Sequence, residues 1–114
     1  MENCIFCKII NREIPSTIVY EDDKVLAFKD INPVAPVHVL IIPKVHIKNV
    51  MDLNEQNLDI LKDIHLAAKK IAGEMGVADK GFRLITNCGE EAGQTVFHLH
   101  YHLIGGKELG PKII

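Results

Sequence analysis

Five residues near the C-terminus, His98-Leu99-His100-Tyr101-His102, place three imidazoles at a spacing of two. In an extended chain successive side chains alternate faces, so the three histidines share one face while Leu99 and Tyr101 take the other. A single strand histidine is usually a hydrogen-bonded structural residue. Half of the six histidines in the chain on one face of one strand favours chemistry instead. Two kinds of chemistry fit. The three could ligate a catalytic zinc, although a His-x-His pair with a remote third ligand is commoner. Alternatively one imidazole is a nucleophile and its neighbours orient it and move protons.

The flanks favour the nucleophile. A Gly-bearing loop begins at Asn87 and leads into Gly93-Gln94-Thr95-Val96. Glycine allows close backbone approach, and free N–H groups beside a Thr hydroxyl form a cradle for phosphate oxygens. The stretch Gln94 to Leu103 resembles the His-x-His-x-His-x-x motif of the histidine triad family, x being apolar. The resemblance extends through Cys4 to Ile10, Glu13-Ile14-Pro15, Glu21-Asp22-Asp23, Ala27 to Pro33, His38 to Lys44 and His46, segments similar to the Hint branch. Only the tail after Gly106 falls outside it.

That resemblance implies roles. His100 corresponds to a nucleophile that attacks the α-phosphorus of a nucleotide and becomes nucleotidylated. His102 corresponds to the residue that stabilises charge there and helps protonate the leaving group, and His38 to a further active-site histidine. Asn87, Gly93, Thr95 and Val96 match phosphate contacts, Thr95 standing where Ser is common. Asp30 matches the carboxylate that binds the ribose hydroxyls, and Phe6, Ile9, Ile14, Phe28 and Ile31 match the walls of a base pocket. Apart from the family, a turn start is the plain alternative for Asp30, and a phenylalanine on a strand, as Phe28 is, is more often core than pocket. The implied activity is hydrolysis of a purine nucleoside phosphoramidate by a homodimer in which two sheets join. A dinucleoside polyphosphate hydrolase and a non-catalytic nucleotide-binding module are the alternatives.

Cys4-x-x-Cys7 has a spacing that suits tetrahedral thiolate ligation or a redox pair. A thioredoxin-like site would need a preceding strand, and only three residues precede Cys4. His46 and His98 are available to complete a structural zinc site, as the resemblance also implies, and two reduced cysteines without metal are the plain alternative. His65 reads as a boundary residue of a helix and Cys88 as an inert loop thiol.

These residues need a frame. Cys4–Ile10 reads as a helical turn, and Ser16–Tyr20, Lys24–Phe28, Val37–Ile42, Phe82–Asn87 and Val96–Ile104 as strands. Asp52–Met75 reads as the one long helix, with Asp52 and Glu55 as a capping box and Gly76 beyond its end. Residues 1–114 then form a single α+β domain, an antiparallel sheet of about five strands with one main helix, the tail 107–114 being without pattern. At 114 residues, 47% hydrophobic and 25% charged, the chain has enough apolar surface for a core. A net charge of −2 with no basic cluster argues against nucleic acid as a partner, so any phosphate handled is on a small molecule. The N-terminus Met1-Glu2-Asn3-Cys4 lacks signal-peptide character and no apolar run could span a bilayer, which points to the cytoplasm and reduced thiols.

Overall fold

The computed structural model describes residues 3–114; Met1 and Glu2, part of the N-terminal reading above, lie outside the described residues. Among these, the elements run α1 (Ile5–Ile10), β1 (Ile18–Glu21), β2 (Val25–Lys29), β3 (Val37–Pro43), α2 (Asp59–Glu74), β4 (Phe82–Thr86) and β5 (Tyr101–Gly105). Two short 3₁₀ turns, Val50–Asp52 and Glu90–Ala92, interrupt the connections. The five strands form one antiparallel sheet in the order β1-β2-β3-β5-β4. The expected α+β class and strand count are both present.

The period-two pattern of the strands sorts the sheet into two faces. Val25, Ala27, Val39, Ile41, Tyr101 and Leu103 pack with Ile60, Ile64, Ala67, Ala68 and Ile71 of α2 in the larger core. The opposite face carries Leu26, Phe28, Leu40 and Ile42, which close with Phe6 and Ile9 of α1 into a smaller cluster. β3 is buried at every position, with a neighbour on each side. This second face is the one that carries the histidines.

Most element boundaries fall within two residues of the expected ones, and two differ by five or more. The long helix begins at Asp59 rather than Asp52, and no side chain caps it. Asp52 lies in the preceding 3₁₀ turn, and Asn54 and Asn57 take over the local capping. The Asn54 side chain accepts from Gln56 N–H (2.8 Å) and Asn57 N–H (3.1 Å), and Asn57 accepts from Asn54 N–H (2.8 Å). Asparagine competes well for such turns, so the chain folds tightly before it turns helical. At the other end Gly76 holds φ +75° just past the helix, the left-handed stop that glycine permits.

The last strand begins at Tyr101, not Val96. Residues 96–100 run into the sheet without joining its ladder, and the Leu99 N–H instead donates to the Ile47 carbonyl (2.6 Å). The alternation survives this. Leu99 points into the larger core while His98 and His100 face the smaller cluster. In the tail, the Arg83 guanidinium donates to the Gly110 carbonyl (2.8 Å) and ties residues 107–114 back to β4.

Candidate active site

His98, His100 and His102 stand in a row on the face opposite α2, and each is tied differently. His100 is buried, and its Nδ1–H donates to the His98 carbonyl (2.8 Å). A donor role at Nδ1 fixes the neutral tautomer whose Nε2 keeps a free lone pair. Burial lowers the pKa of His100 below the usual imidazole value, partly offset by that carbonyl and by the charge of Asp30. The edge of Phe6 meets this ring at 5.1 Å between centroids, so α1 holds it in place from the side.

His102 lies on β5 opposite Leu40 of β3, and His38 lies opposite Ile104, which makes the two histidines diagonal neighbours on one face. Their rings meet through His38 Nε2 and His102 Nδ1 at 2.9 Å. His38 is oriented from its other side, because its Nδ1 accepts the backbone N–H of Val34 (3.1 Å). A neutral His38 therefore carries its proton on Nε2 and donates it to His102. Burial, reinforced by the charges of His100 and His38, lowers the pKa of His102 to about 4.

Asp30 closes the group. One of its oxygens, Oδ1, accepts the Asn32 N–H (2.7 Å), and the other, Oδ2, lies 3.4 Å from His38 Nε2. Asp30, His38 and His102 are close enough together to surround a metal ion. The Val34 hydrogen bond argues against it, since it leaves His38 Nε2 protonated and without a lone pair to give.

The loop before the triad is braced from within. Gly93 takes φ +87° at the end of the Glu90–Ala92 turn, a conformation glycine accepts freely. The Asn87 side chain donates to the Ala92 carbonyl (2.7 Å). Gln94, buried between them, accepts the Gly89 N–H (2.9 Å) and donates to the carbonyls of Lys48 (2.8 Å) and Val96 (3.1 Å). Gln94 has no role in the sequence reading, since a lone polar residue beside a glycine carries no signal until its burial is known. Thr95 is exposed and Val96 half-buried beside this hub.

The expected base-pocket residues divide. Ile31 is 91% exposed on the loop after Asp30, and Ile14 is half-buried. Phe6, Ile9 and Phe28 are buried in the smaller cluster, on the face that carries the histidines.

Beside the triad a second group forms from Cys4, Cys7, His46 and His98. The separations are 3.3 Å from Cys4 Sγ to His98 Nδ1, 3.4 Å from Cys7 Sγ to His46 Nδ1, 3.6 Å from Cys7 Sγ to His98 Nδ1 and 3.2 Å between the two Nδ1 atoms. The edges of a tetrahedron with zinc–sulfur and zinc–nitrogen bonds of ordinary length are about 3.3 Å between nitrogens, about 3.6 Å from sulfur to nitrogen and about 3.8 Å between sulfurs. His98 Nε2–H donates to the Pro43 carbonyl (2.8 Å), which leaves Nδ1 free to ligate and fixes the ring. Without a metal, burial and then the neighbouring Cys4 push the Cys7 thiol up to about 11, and burial takes His98 down to about 4. A divalent cation reverses that penalty. Of the remaining candidates, His65 is exposed with its ring against Tyr101, and Cys88 is a half-buried free thiol.

Residues 3–112 match the family model described as scavenger mRNA decapping enzyme C-terminal binding. A solved HIT family hydrolase from Clostridium thermocellum is 69% identical, with a TM-score of 0.99, covering 100% of this chain and 99% of that one. The chain belongs to the histidine triad family. It is a histidine triad hydrolase of nucleotide-type substrates. The purine nucleoside phosphoramidase of Escherichia coli strain K12 is 50% identical over 112 residues, 98% of this chain and 94% of that protein. A 14 kDa zinc-binding protein of Brassica juncea is 50% identical over 107 residues, 92% of this chain and 94% of that protein.

Proposed function

We propose that this hydrolase cleaves purine nucleoside phosphoramidates through a nucleotidyl intermediate on His100. The observation that carries the reading is the tautomer of His100, whose Nδ1–H is committed to the His98 carbonyl and whose Nε2 lone pair is free on a buried, uncharged ring. A neutral imidazole is a nucleophile without further activation. Attack forms the Nε2–phosphorus bond as the phosphorus–nitrogen bond breaks. The electron pair leaves on the amine together with one proton. Water then displaces His100 and releases the nucleoside monophosphate. His102 stands next along the same face to exchange that proton, and the Asn87–Val96 loop receives the phosphate oxygens through Gly93, Thr95 and the backbone of Val96. Asp30 holds the ribose hydroxyls, with Ile31 and Ile14 against the base.

Zinc at Cys4, Cys7, His46 and His98 is structural in this reading: four protein ligands leave no position for a reacting water. The site pins α1 to the segment that carries His100. The working unit is a homodimer in the cytoplasm; no helix among the described residues is long and apolar enough to cross a membrane. Replacing His100 with alanine should lower turnover of an adenosine phosphoramidate by several orders of magnitude while AMP still binds, and mass spectrometry of wild type should trap a nucleotidyl adduct on His100. Near-normal turnover in that variant would end the nucleophile assignment.

A further inference from the structure

We propose that Gln94 is a positioning residue for phosphoryl transfer: its buried side-chain amide holds the Gly89–Val96 loop in the shape that receives the phosphate and sets that loop in register with the segment carrying His100. The proposal deepens the phosphoramidate reading above and rests on it. Gln94 is 3% exposed, and every hydrogen-bonding position of its amide is taken. Oε1 accepts the Gly89 N–H (2.9 Å) and the Asn49 Nδ2–H (3.3 Å). Nε2 donates to the carbonyls of Lys48 (2.8 Å) and Val96 (3.1 Å). Only one orientation of the amide fits, because the reverse would set its oxygen against two carbonyls.

Two of these bonds shape the loop itself. The backbone N–H of Gln94 donates to the Gly89 carbonyl (3.0 Å) while its side chain accepts the Gly89 N–H, so the two residues clamp the loop closed. The clamp is needed because Gly89 and Gly93 take φ +92° and +87°, and glycine permits such turns without stiffening them. Further along, the Val96 carbonyl is drawn back to Nε2. Between these fixed points lie the N–H groups of Thr95 and Val96, which donate to no carbonyl among the described residues.

A third bond reaches outside the loop. The Lys48 carbonyl takes Gln94 Nε2–H, and the adjacent Ile47 carbonyl takes the N–H of Leu99, the neighbour of His100. Two consecutive carbonyls therefore hold the loop and the triad on one short segment. As the phosphorus passes through its five-coordinate state, charge on its non-bridging oxygens must be met where those oxygens then lie. Donors fixed beforehand do this without reorganisation, and a loop free to shift does not. Base and ribose are bound elsewhere, so loosening the loop falls on kcat more than on KM.

The test compares wild type, Gln94→Ala and Gln94→Asn on an adenosine phosphoramidate, at a temperature where circular dichroism shows each protein folded. Alanine leaves room for water to satisfy the freed backbone groups; asparagine keeps the amide one methylene short, and serves alone where the alanine variant does not fold. Gln94→Ala should lose about tenfold to a hundredfold in kcat with KM within about threefold, and Gln94→Asn should fall between it and wild type. Loss of stability alone would not move a second readout, the preference between the two diastereomers made by replacing one non-bridging oxygen with sulfur, a weaker acceptor. Wild type should be slower on the diastereomer whose sulfur meets the loop, and both variants should discriminate less. An unchanged kcat, a preference that is undiminished in the variants, or no preference in wild type overturns the proposal and leaves the phosphoramidate reading standing. Failure of wild type to turn over the phosphoramidate overturns that reading, and the proposal with it.

Discussion

Replacing Phe6 with alanine should damage stability and catalysis together, because one ring joins the two halves of the site. Phe6 is 6% exposed and packs edge-on against Phe28 (5.6 Å between centroids), His98 (5.9 Å) and His100 (5.1 Å). Truncating a buried phenylalanine costs about 3–5 kcal/mol, from lost transfer energy and the cavity left behind. The smaller cluster has few residues to close that cavity, and Phe28, Leu40 and Ile42 are held by the sheet, which argues for the upper half of the range. With an unfolding entropy of about 2.1 cal/mol/K per residue, a loss in that upper half lowers the midpoint by roughly 17–21 °C. Urea unfolding followed by circular dichroism would give the free energy, and turnover at saturating substrate would give kcat at a temperature where both proteins are folded. Phe6→Leu, which keeps most of the volume, should cost about 1–2 kcal/mol and retain more activity. A loss below about 1 kcal/mol for Phe6→Ala, or an unchanged kcat, would refute the reasoning that this ring braces the nucleophile.

Metal analysis of the purified protein should find one zinc per chain, and chelation should lower the unfolding midpoint before it lowers turnover measured at moderate temperature; a metal-free preparation of full stability would contradict the site. His102 has a folded pKa of about 4 against about 6.5 unfolded, so the unfolded chain binds the extra proton between those values. Its contribution to stability is intact above about pH 6.5 and falls as pH drops toward 4, by up to about 1.4 kcal/mol per pH unit. Urea midpoints from pH 7 to 4.5 should therefore slope less steeply in His102→Gln than in wild type, and equal slopes would count against the burial argument.

The alternation of His98-Leu99-His100-Tyr101-His102 made the chemical face legible from the sequence, and the strand count followed from apolar runs and proline boundaries. The boundaries that moved did so through bonds made outside their own segment. Leu99 N–H finds Ile47 rather than a strand partner, and Asn54 with Asn57 builds a turn where Asp52 and Glu55 resembled a cap. The tautomers were beyond reach for the same reason: backbone groups of Pro43, His98 and Val34 set them, and those depend on the path of the chain, not on side-chain identity. Phe6, Ile9 and Phe28 show a further limit. Apolar type marks them for burial, and only the path of the chain shows which of the two faces they close.

The two faces of the sheet amount to a division of labour with practical use. Residues under α2 and residues under α1 are separated by the thickness of the backbone, and each strand side chain belongs to one side alone. Repacking Ile60, Ile64 or Ile71 would tune how firmly the protein holds together without touching an imidazole of the triad. Changes at Leu40 or Phe28 would reach the reaction by way of the rings they support. A designer seeking a sturdier catalyst has the first side to work with; one seeking a different substrate has the second.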